Sequence, residues 1–461
     1  MYRFIVFAVV SSSLVLSCGF DPPGINDREP GPDAGPGPCM QAVRVLATVG
    51  EQAISDGRTE PLLTVLPGDS IALSAAGSCV DTGTIAYTWT IESMDGAFDL
   101  SGTSNNGMES ETLSVYPERA GIYKIVLTVS NGGAAEETLE AVAFEVPDWT
   151  VVDSFPGAPA GGADFRDVSI GDGFLWVASK EGAYRVSLAD PLGSTIEEVN
   201  SVIDTGGTNV AIPGNTRAAY YEADRKFAWF SNDASDTTIY RANFQNADPV
   251  GQAIIVDSAN SGQIRNIAPL STTGIVVAGQ RGVYSSPGGA VFSPTNTVID
   301  ARAVVSHGGE RWVGSDGVEG LRELTADVSV DVFPGDDKLR RIILVDDQLW
   351  IGSLEGGVAR LNPADTADKN LYTVENGSLP DNEVKFLAAD SSGDIWVGTK
   401  AGVARYKADR DVWVTFTQDG LEGHIDAKAI AVDESNGQRT IIVGSKGMAV
   451  IRAPILTVPA E

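Results

Sequence analysis

Leu379-Pro380-Asp381-Asn382-Glu383-Val384 is followed by Asp390-Ser391-Ser392-Gly393-Asp394-Ile395-Trp396-Val397-Gly398-Thr399 and then by Gly402-Val403-Ala404-Arg405-Tyr406. This run reads as strand, glycine turn, strand, glycine turn, strand, and the order recurs along the chain. The second strand of each copy contains Leu175-Trp176-Val177-Ala178-Ser179, Ala228-Trp229-Phe230-Ser231, Ile275-Val276-Val277-Ala278-Gly279, Arg311-Trp312-Val313-Gly314-Ser315, Leu349-Trp350-Ile351-Gly352-Ser353, the Trp396 copy and Ile441-Ile442-Val443-Gly444-Ser445. Anchors therefore fall at 176, 229, 276, 312, 350, 396 and 442, a spacing that suits one four-stranded blade per copy. Residues 148–461 are expected to form a seven-bladed β-propeller. Trp149–Phe155 aligns with Trp413–Thr417, the outer strand of the sixth copy, so the N-terminal strand is expected to complete the last blade. The competing expectation is that Ile455–Val458 does so.

Composition agrees with an all-β chain. Among 461 residues there are 51 Gly, 23 Pro and 7 % aromatics. The net charge of -30 argues against nucleic acid or an anionic lipid surface as a partner held by long-range attraction. Only His307 and His424 are present, which rules out a multi-histidine metal centre.

Arg3 and the apolar stretch Phe4–Leu16 read as a signal peptide, residues 1–17. Val15-Leu16-Ser17-Cys18 resembles the lipobox of bacterial lipoproteins, which implies cleavage before Cys18 and lipidation of its sulfur. Residues 18–38 are rich in Pro and Gly with no aliphatic run and read as a tether. The expected location is the cell envelope, lipid-anchored, at the outer membrane.

Residues 39–147 show alternating runs at Val43–Thr48, Ser70–Ser74, Ala86–Ile91, Thr112–Val115, Tyr123–Val129 and Ala141–Val146, the spacing of a β-sandwich. Pro67-Gly68-Asp69-Ser70, Tyr87-Thr88-Trp89 and Ala120 to Asn131 resemble a PKD domain, an immunoglobulin-like module of cell-surface proteins. Trp89 is expected in its core. If the first two strands pair antiparallel, Cys39 and Cys79 lie within disulfide reach.

The repeat itself resembles the two-component-regulator propeller, carried by the Leu-Pro-Asp-Asn-x-Val and Asp-x-x-Gly-x-x-Trp-x-Gly-Thr segments. The resemblance implies the architecture and not a sensor-kinase role, which fold alone does not establish. The fold class is thus all-β, a small immunoglobulin-like sandwich followed by a seven-bladed β-propeller.

The repeated tryptophans are expected to pack between blades. Arg185, Arg241, Arg360, Arg405 and Arg452, with Arg322 one register off, are expected in structural ion pairs. Turns between second and third strands share one rim and carry Lys180, Arg281, Lys400 and Lys446; Lys400, Lys446 and Lys180, from neighbouring blades, are a candidate basic arc for an anionic group. Loops Pro156–Asp164, Asp204–Asn215, Glu375–Glu383 and Gln418–Ile425 border that rim, with Phe155, Tyr372, Phe416 and Leu421 nearby. His424 is the position to test for general-base chemistry. No phosphate loop, nucleophile elbow, HExxH or EF-hand spacing occurs, although Asp331–Asp337 is acidic enough to keep calcium in view; no cofactor or metal is expected. The expected function is non-catalytic binding of an envelope protein or anionic extracellular polysaccharide on one propeller face. The alternatives are a polysaccharide lyase or glycosidase, which acidic pairs would serve, and a scaffold subunit of an outer-membrane assembly.

Overall fold

The computed structural model describes Cys39 and residues 43–455, except 97–99, 101–107, 134, 153–162, 200, 204–207, 213, 234–237, 244–249, 257–261, 272–273, 289–290, 297–299, 318–319, 336–337, 418–420 and 422–425. The signal segment, Cys18, the tether, Phe155 and His424 lie outside the described residues, as does most of Ile455–Val458.

Two four-stranded sheets enclose the N-terminal core. One contains Gln52–Ile54, Ala47–Val49, Ile71–Ser74 and Thr112–Val115; the other contains Leu63–Thr64, Glu136–Val146, Gly121–Ser130 and Ala86–Ser93. Alternation decides which side chains face inward: Tyr123, Ile125, Leu127 and Val129 are fully buried while their neighbours are not. Trp89 is in this core, its indole N–H donating to Ser110 O at 2.9 Å. Ala47–Val49 and Ile71–Ser74 pair antiparallel, and Cys39 is bonded to Cys79 with Cα atoms 5.6 Å apart. Closing this 40-residue separation stabilises the fold by about 2–4 kcal/mol.

Among the described residues, seven further sheets follow, and their inner strands neighbour one another in a closed cycle. Those strands are Phe165–Gly171, Thr216–Glu222, Ile264–Ser271, Ala301–His307, Leu339–Val345, Val384–Ala389 and Ala429–Asp433. We call the sheets blades one to seven in that order. Thr150–Val152 pairs antiparallel with Met448–Pro454 and supplies the outer strand of blade seven, so ring closure joins chain-distant ends as expected. Blade two is larger: the hairpin Ser201–Ile203 and Asn209–Ala211 adds two strands beyond Val250–Ile255. The segment Asp204–Asn215, expected as a loop, is therefore partly strand.

The repeat's motif has physical causes at each position. Asp390 caps its hairpin by accepting from the backbone N–H groups of Ser392 at 2.9 Å and Asp394 at 3.1 Å, and it also accepts the Trp396 indole N–H at 3.3 Å. Gly393 takes the positive φ the turn needs. The residue two places after each anchor is small, Ala178, Ser231 and Ala278 in blades one to three and Gly314, Gly352, Gly398 and Gly444 in blades four to seven, and the glycines sit where the next blade's inner strand arrives. A Cβ on Gly352 would lie 2.6 Å from Val384 Cγ1, one on Gly398 2.5 Å from Ala427 O, and one on Gly444 2.0 Å from Phe165 Cδ2. Trp176, Trp229 and Trp396 are buried in the core clusters between blades, as expected.

The sandwich docks on blade six through Leu66-Pro67-Gly68-Asp69. Leu66 joins the propeller core cluster that includes Trp149, Phe416 and Val414. Arg405, fully buried, donates to Pro67 O at 2.9 Å, to Asp69 Oδ1 at 2.7 Å and to Asp394 Oδ2 at 2.8 Å. Lys407 bonds both Asp69 and Asp394, and Arg410 donates to Gly68 O at 2.6 Å while stacking over Tyr116. Burial alone would raise the Asp394 carboxyl, but Arg405 and Lys407 hold it below its ordinary value. Asp390, desolvated beside the Asp394 charge, is pushed up.

Asp69→Ala should therefore leave the buried Arg405 and Lys407 sharing one directly hydrogen-bonded carboxylate, Asp394, instead of two. Breaking one partner of a buried ion pair costs about 3 kcal/mol. Urea unfolding should show that loss, and substitution of the exposed Asp81 should change stability by less than about 0.5 kcal/mol.

Candidate functional site

At the rim that carries the turns between second and third strands, a basic residue stands second in six inner strands, Arg166, Arg217, Arg265, Arg302, Arg340 and Lys385, and directly before the seventh, Lys428. All seven line one cavity of about 330 Å³ at the mouth of the central channel. Their placement has a backbone cause. In blades one, three, four, five and six the pairing between first and second strands slips by one residue at this position, between Phe165 and Asp167, Ile264 and Asn266, Ala301 and Ala303, Leu339 and Arg341, and Val384 and Phe386. A bulge re-aims the extra side chain, here toward the axis. Blade two slips between Thr216 and Ala219, and Lys428 directly precedes the paired strand of blade seven.

Arg341 supplies an eighth cation. From blade five it crosses the channel to Asp167 of blade one at 3.1 Å, and its guanidinium lies 4.1 Å from the Phe386 ring centroid. Asp167 also accepts from Ala219 N in blade two. Among the described residues, the lining on the inner strands ends at Asp167, Arg341 and Phe386, and the Arg341–Asp167 pair spans the channel there, so we call the cavity a cup with these residues as its floor.

Carboxylates balance the cations from outside. Asp233 bridges Arg166 and Arg217, each at 2.8 Å; Asp300 pairs with Arg265; Asp316 pairs with Arg302 and stands 3.9 Å from Arg340. Glu383 and Asp426 hold Lys385, and Asp164 holds Lys428 at 2.5 Å. Of these acids only Glu383 lines the cavity, alongside Asp167 on the floor. Among the described residues the lining thus shows eight basic and two acidic side chains, in a chain of net charge -30. Burial would raise Asp233, Asp316 and Glu383, but their cationic partners hold all three below their ordinary values. The carboxylates stay ionised and the positive ends of the pairs face the axis.

The arginines are not fully satisfied. Among the described residues, the Arg265 and Arg302 Nε atoms are buried without a hydrogen-bond partner. Such a donor costs about 1–3 kcal/mol until an acceptor reaches it. Burial, and then the like charge of Arg302, lowers the Arg265 pKa; burial and Arg302 do the same at Arg340. These side chains repel one another across the cup, and an anion placed among them relieves that repulsion. The chemistry on offer is binding and orientation of oxyanions by guanidinium forks.

The sequence-predicted arc lies on the same rim but outside the cup. Lys180, Arg281 and Lys446 are exposed on their turns. Lys400 is exposed and pairs with Glu383 at 3.2 Å, which raises its pKa. None of the four lines the cavity. Tyr372, Phe416 and Leu421 pack inward, Tyr372 in a cluster with Trp350, Tyr406 and Trp413. His307 stands on the opposite rim, 3.9 Å from Asp347. Of the recurring arginines, Arg185 pairs with Glu197, Arg322 with Asp327 and Arg405 with Asp394, whereas Arg241 lies over Phe227 and Trp229, and Arg360 bonds Tyr406 Oη. Arg452 Nε is buried without a partner among the described residues. The signal for the cup was present: a basic residue precedes every anchor by ten to fourteen positions, from 166 against 176 to 428 against 442.

Removing the strut should expose its electrostatics. Burial raises the Asp167 carboxyl above 3.8 even with Arg341 beside it. In Arg341→Ala that opposing attraction is gone. The folded variant then binds a proton at Asp167 more tightly than the unfolded chain, so its stability falls as pH rises above the ordinary carboxylate range. Denaturant unfolding from that range upward should show a steeper decline than in the unaltered chain.

Residues 378–401 match the family model described as the two component regulator propeller. Among solved structures, the chain is similar to the extracellular domain of the putative hybrid two component system BT3049 from B. thetaiotaomicron, with 14 % identity, 82 % of this chain and 53 % of that chain covered, and a TM-score of 0.51. It spans about half the length of that protein. It is also similar to YCF48 bound to D1 peptide, with 15 % identity, 68 % and 98 % coverage and a TM-score of 0.48, and to a chain of the mitotic checkpoint complex, with 10 % identity, 67 % and 95 % coverage and a TM-score of 0.45. No curated protein matches the sequence. The family match and the first likeness show a two-component-regulator-type β-propeller as the architecture of residues that include the cup.

Proposed function

We propose that this chain is a non-catalytic binding module of the cell envelope: a lipid anchor at Cys18, a tether, a PKD-like immunoglobulin-like sandwich and a seven-bladed propeller that receives an anionic ligand on one face. The observation that carries the reading is the cup, where eight basic side chains converge in a strongly acidic chain. The acidic remainder repels polyanions from every other surface, and a focused basic site then gives selectivity for one approach. Lys180, Arg281, Lys400 and Lys446, on the outer turns, steer a ligand toward the mouth, and the cup residues hold it. Acidic envelope protein and acidic envelope polysaccharide both satisfy this charge pattern.

Affinity chromatography on the immobilised full chain tests the reading. An anionic component of an envelope extract should be retained at low salt and released as salt rises. A column carrying Arg217→Gln and Arg340→Gln, from opposite walls, should lose it. One carrying Lys180→Glu, Lys400→Glu and Lys446→Glu should bind more slowly while still retaining it. Equal retention on the Arg217/Arg340 column would remove the cup from the account.

A further inference from the structure

We infer that the cup is a one-ended socket for a compact oligoanion, a small molecule or terminal group carrying at least two oxyanion groups, gripped by the guanidinium forks of Arg265 and Arg302. The inference rests on the reading that the propeller binds an anionic ligand and adds its size, its direction of entry and its anchors.

The floor sets the direction. Arg341 and Asp167 meet across the channel and Phe386 lies against the Arg341 guanidinium, so a ligand enters from the loop rim and stops there. The cavity volume of about 330 Å³ sets the size, since it holds one compact group with a few waters and not a folded surface element. Spacing around the axis sets the charge. Arginines stand on blades one to five and lysines on blades six and seven, so a single oxyanion leaves most forks unengaged, while two or more on a small scaffold reach several walls.

Arg265 and Arg302 are the anchors for three reasons. They occupy adjacent blades, and each keeps a buried Nε–H without a partner among the described residues. The Arg265 side chain is 8 % exposed, which marks it as built into the wall. Each also has one carboxylate, Asp300 or Asp316, that fixes the fork from outside the cavity. A small turn of either fork brings its remaining donor to an oxyanion in the cup. Leu354, an aliphatic side chain in the lining, gives a place to block the socket without altering its charge.

The test uses calorimetric titration of the full chain with citrate and with pyrophosphate at 150 mM salt. The expected result is one site per chain for one or both probes. Arg265→Gln with Arg302→Gln should weaken binding at least tenfold, and so should Leu354→Trp, which fills the cup and keeps every cation. Thermal unfolding of each variant confirms that it folds, and either folded variant suffices. Lys180→Glu with Lys446→Glu should weaken binding less than about threefold, since exposed charges are screened at this salt. Long-chain polyphosphate distinguishes the two sources of such a group. Competition in proportion to chain ends assigns the socket to terminal groups, no competition assigns it to free small anions, and competition in proportion to total phosphate overturns the one-ended socket. Unchanged affinity in both cup variants overturns the socket and leaves anion binding on another surface. Absence of any binding of either probe to the unaltered chain at millimolar concentration overturns the anion-binding reading as well.

Discussion

Convergence of the inner strands on one axis is the constraint from which the rest follows. A small residue two places after each anchor, alanine or serine in blades one to three and glycine in blades four to seven, lets the next inner strand approach within contact distance, as Gly352 does for Val384 and Gly398 for Ala427. Repeated around the ring, that approach carries any blade-equivalent position to the same depth in the channel. One residue type kept at one position therefore becomes a ring, and seven basic residues that are far apart in sequence become the wall of a single cup. In blades one to six the register slip at that position decides the outcome, because without it the same side chains would alternate into the seams between blades.

The sandwich is held to this ring by an ionic node and not by apolar contact alone. Arg405 is one of the arginines that recur at the end of third strands, and its counterparts make contacts within the propeller: Arg185 with Glu197 of its own blade, Arg360 with Tyr406 of the next. In blade six the same position is extended by Asp69 and Pro67 from 336 or more residues away. A repeat feature that serves packing elsewhere thus fixes the orientation of the preceding unit. The three residues between Val146 and the start of the closing strand at Thr150 reinforce that fixation, because the chain passes from the sandwich straight into blade seven.

Much of this was legible in the sequence. The Trp-x-Gly spacing, the Asp-x-x-Gly turn, the closing role of the segment after Trp149 and the pairing of Cys39 with Cys79 all depend on local chemistry or simple strand pairing. The extra hairpin of blade two was not, because Ser201–Ile203 and Asn209–Ala211 lack the apolar alternation that marks a strand. The cup was missed for a different reason. Its residues are periodic in the repeat but sit at bulges, where alternation gives no warning of side-chain direction, and exposed turn lysines such as Lys180 and Lys446 drew the basic signal outward. Their true relation to the channel needed the register slips at Arg166, Arg265, Arg302, Arg340 and Lys385. The node at Arg405 was half legible: an ion pair was expected, but nothing local to the blade points to Asp69.

The most direct test of the central claim is a crystal of the full chain soaked in selenate, with the anion located by anomalous scattering. The account predicts the strongest peak inside the cup, within hydrogen-bond distance of the Arg265 and Arg302 guanidinium groups. A cup without selenate, beside well-occupied sites on the outer turns at Lys180 or Lys446, would contradict it.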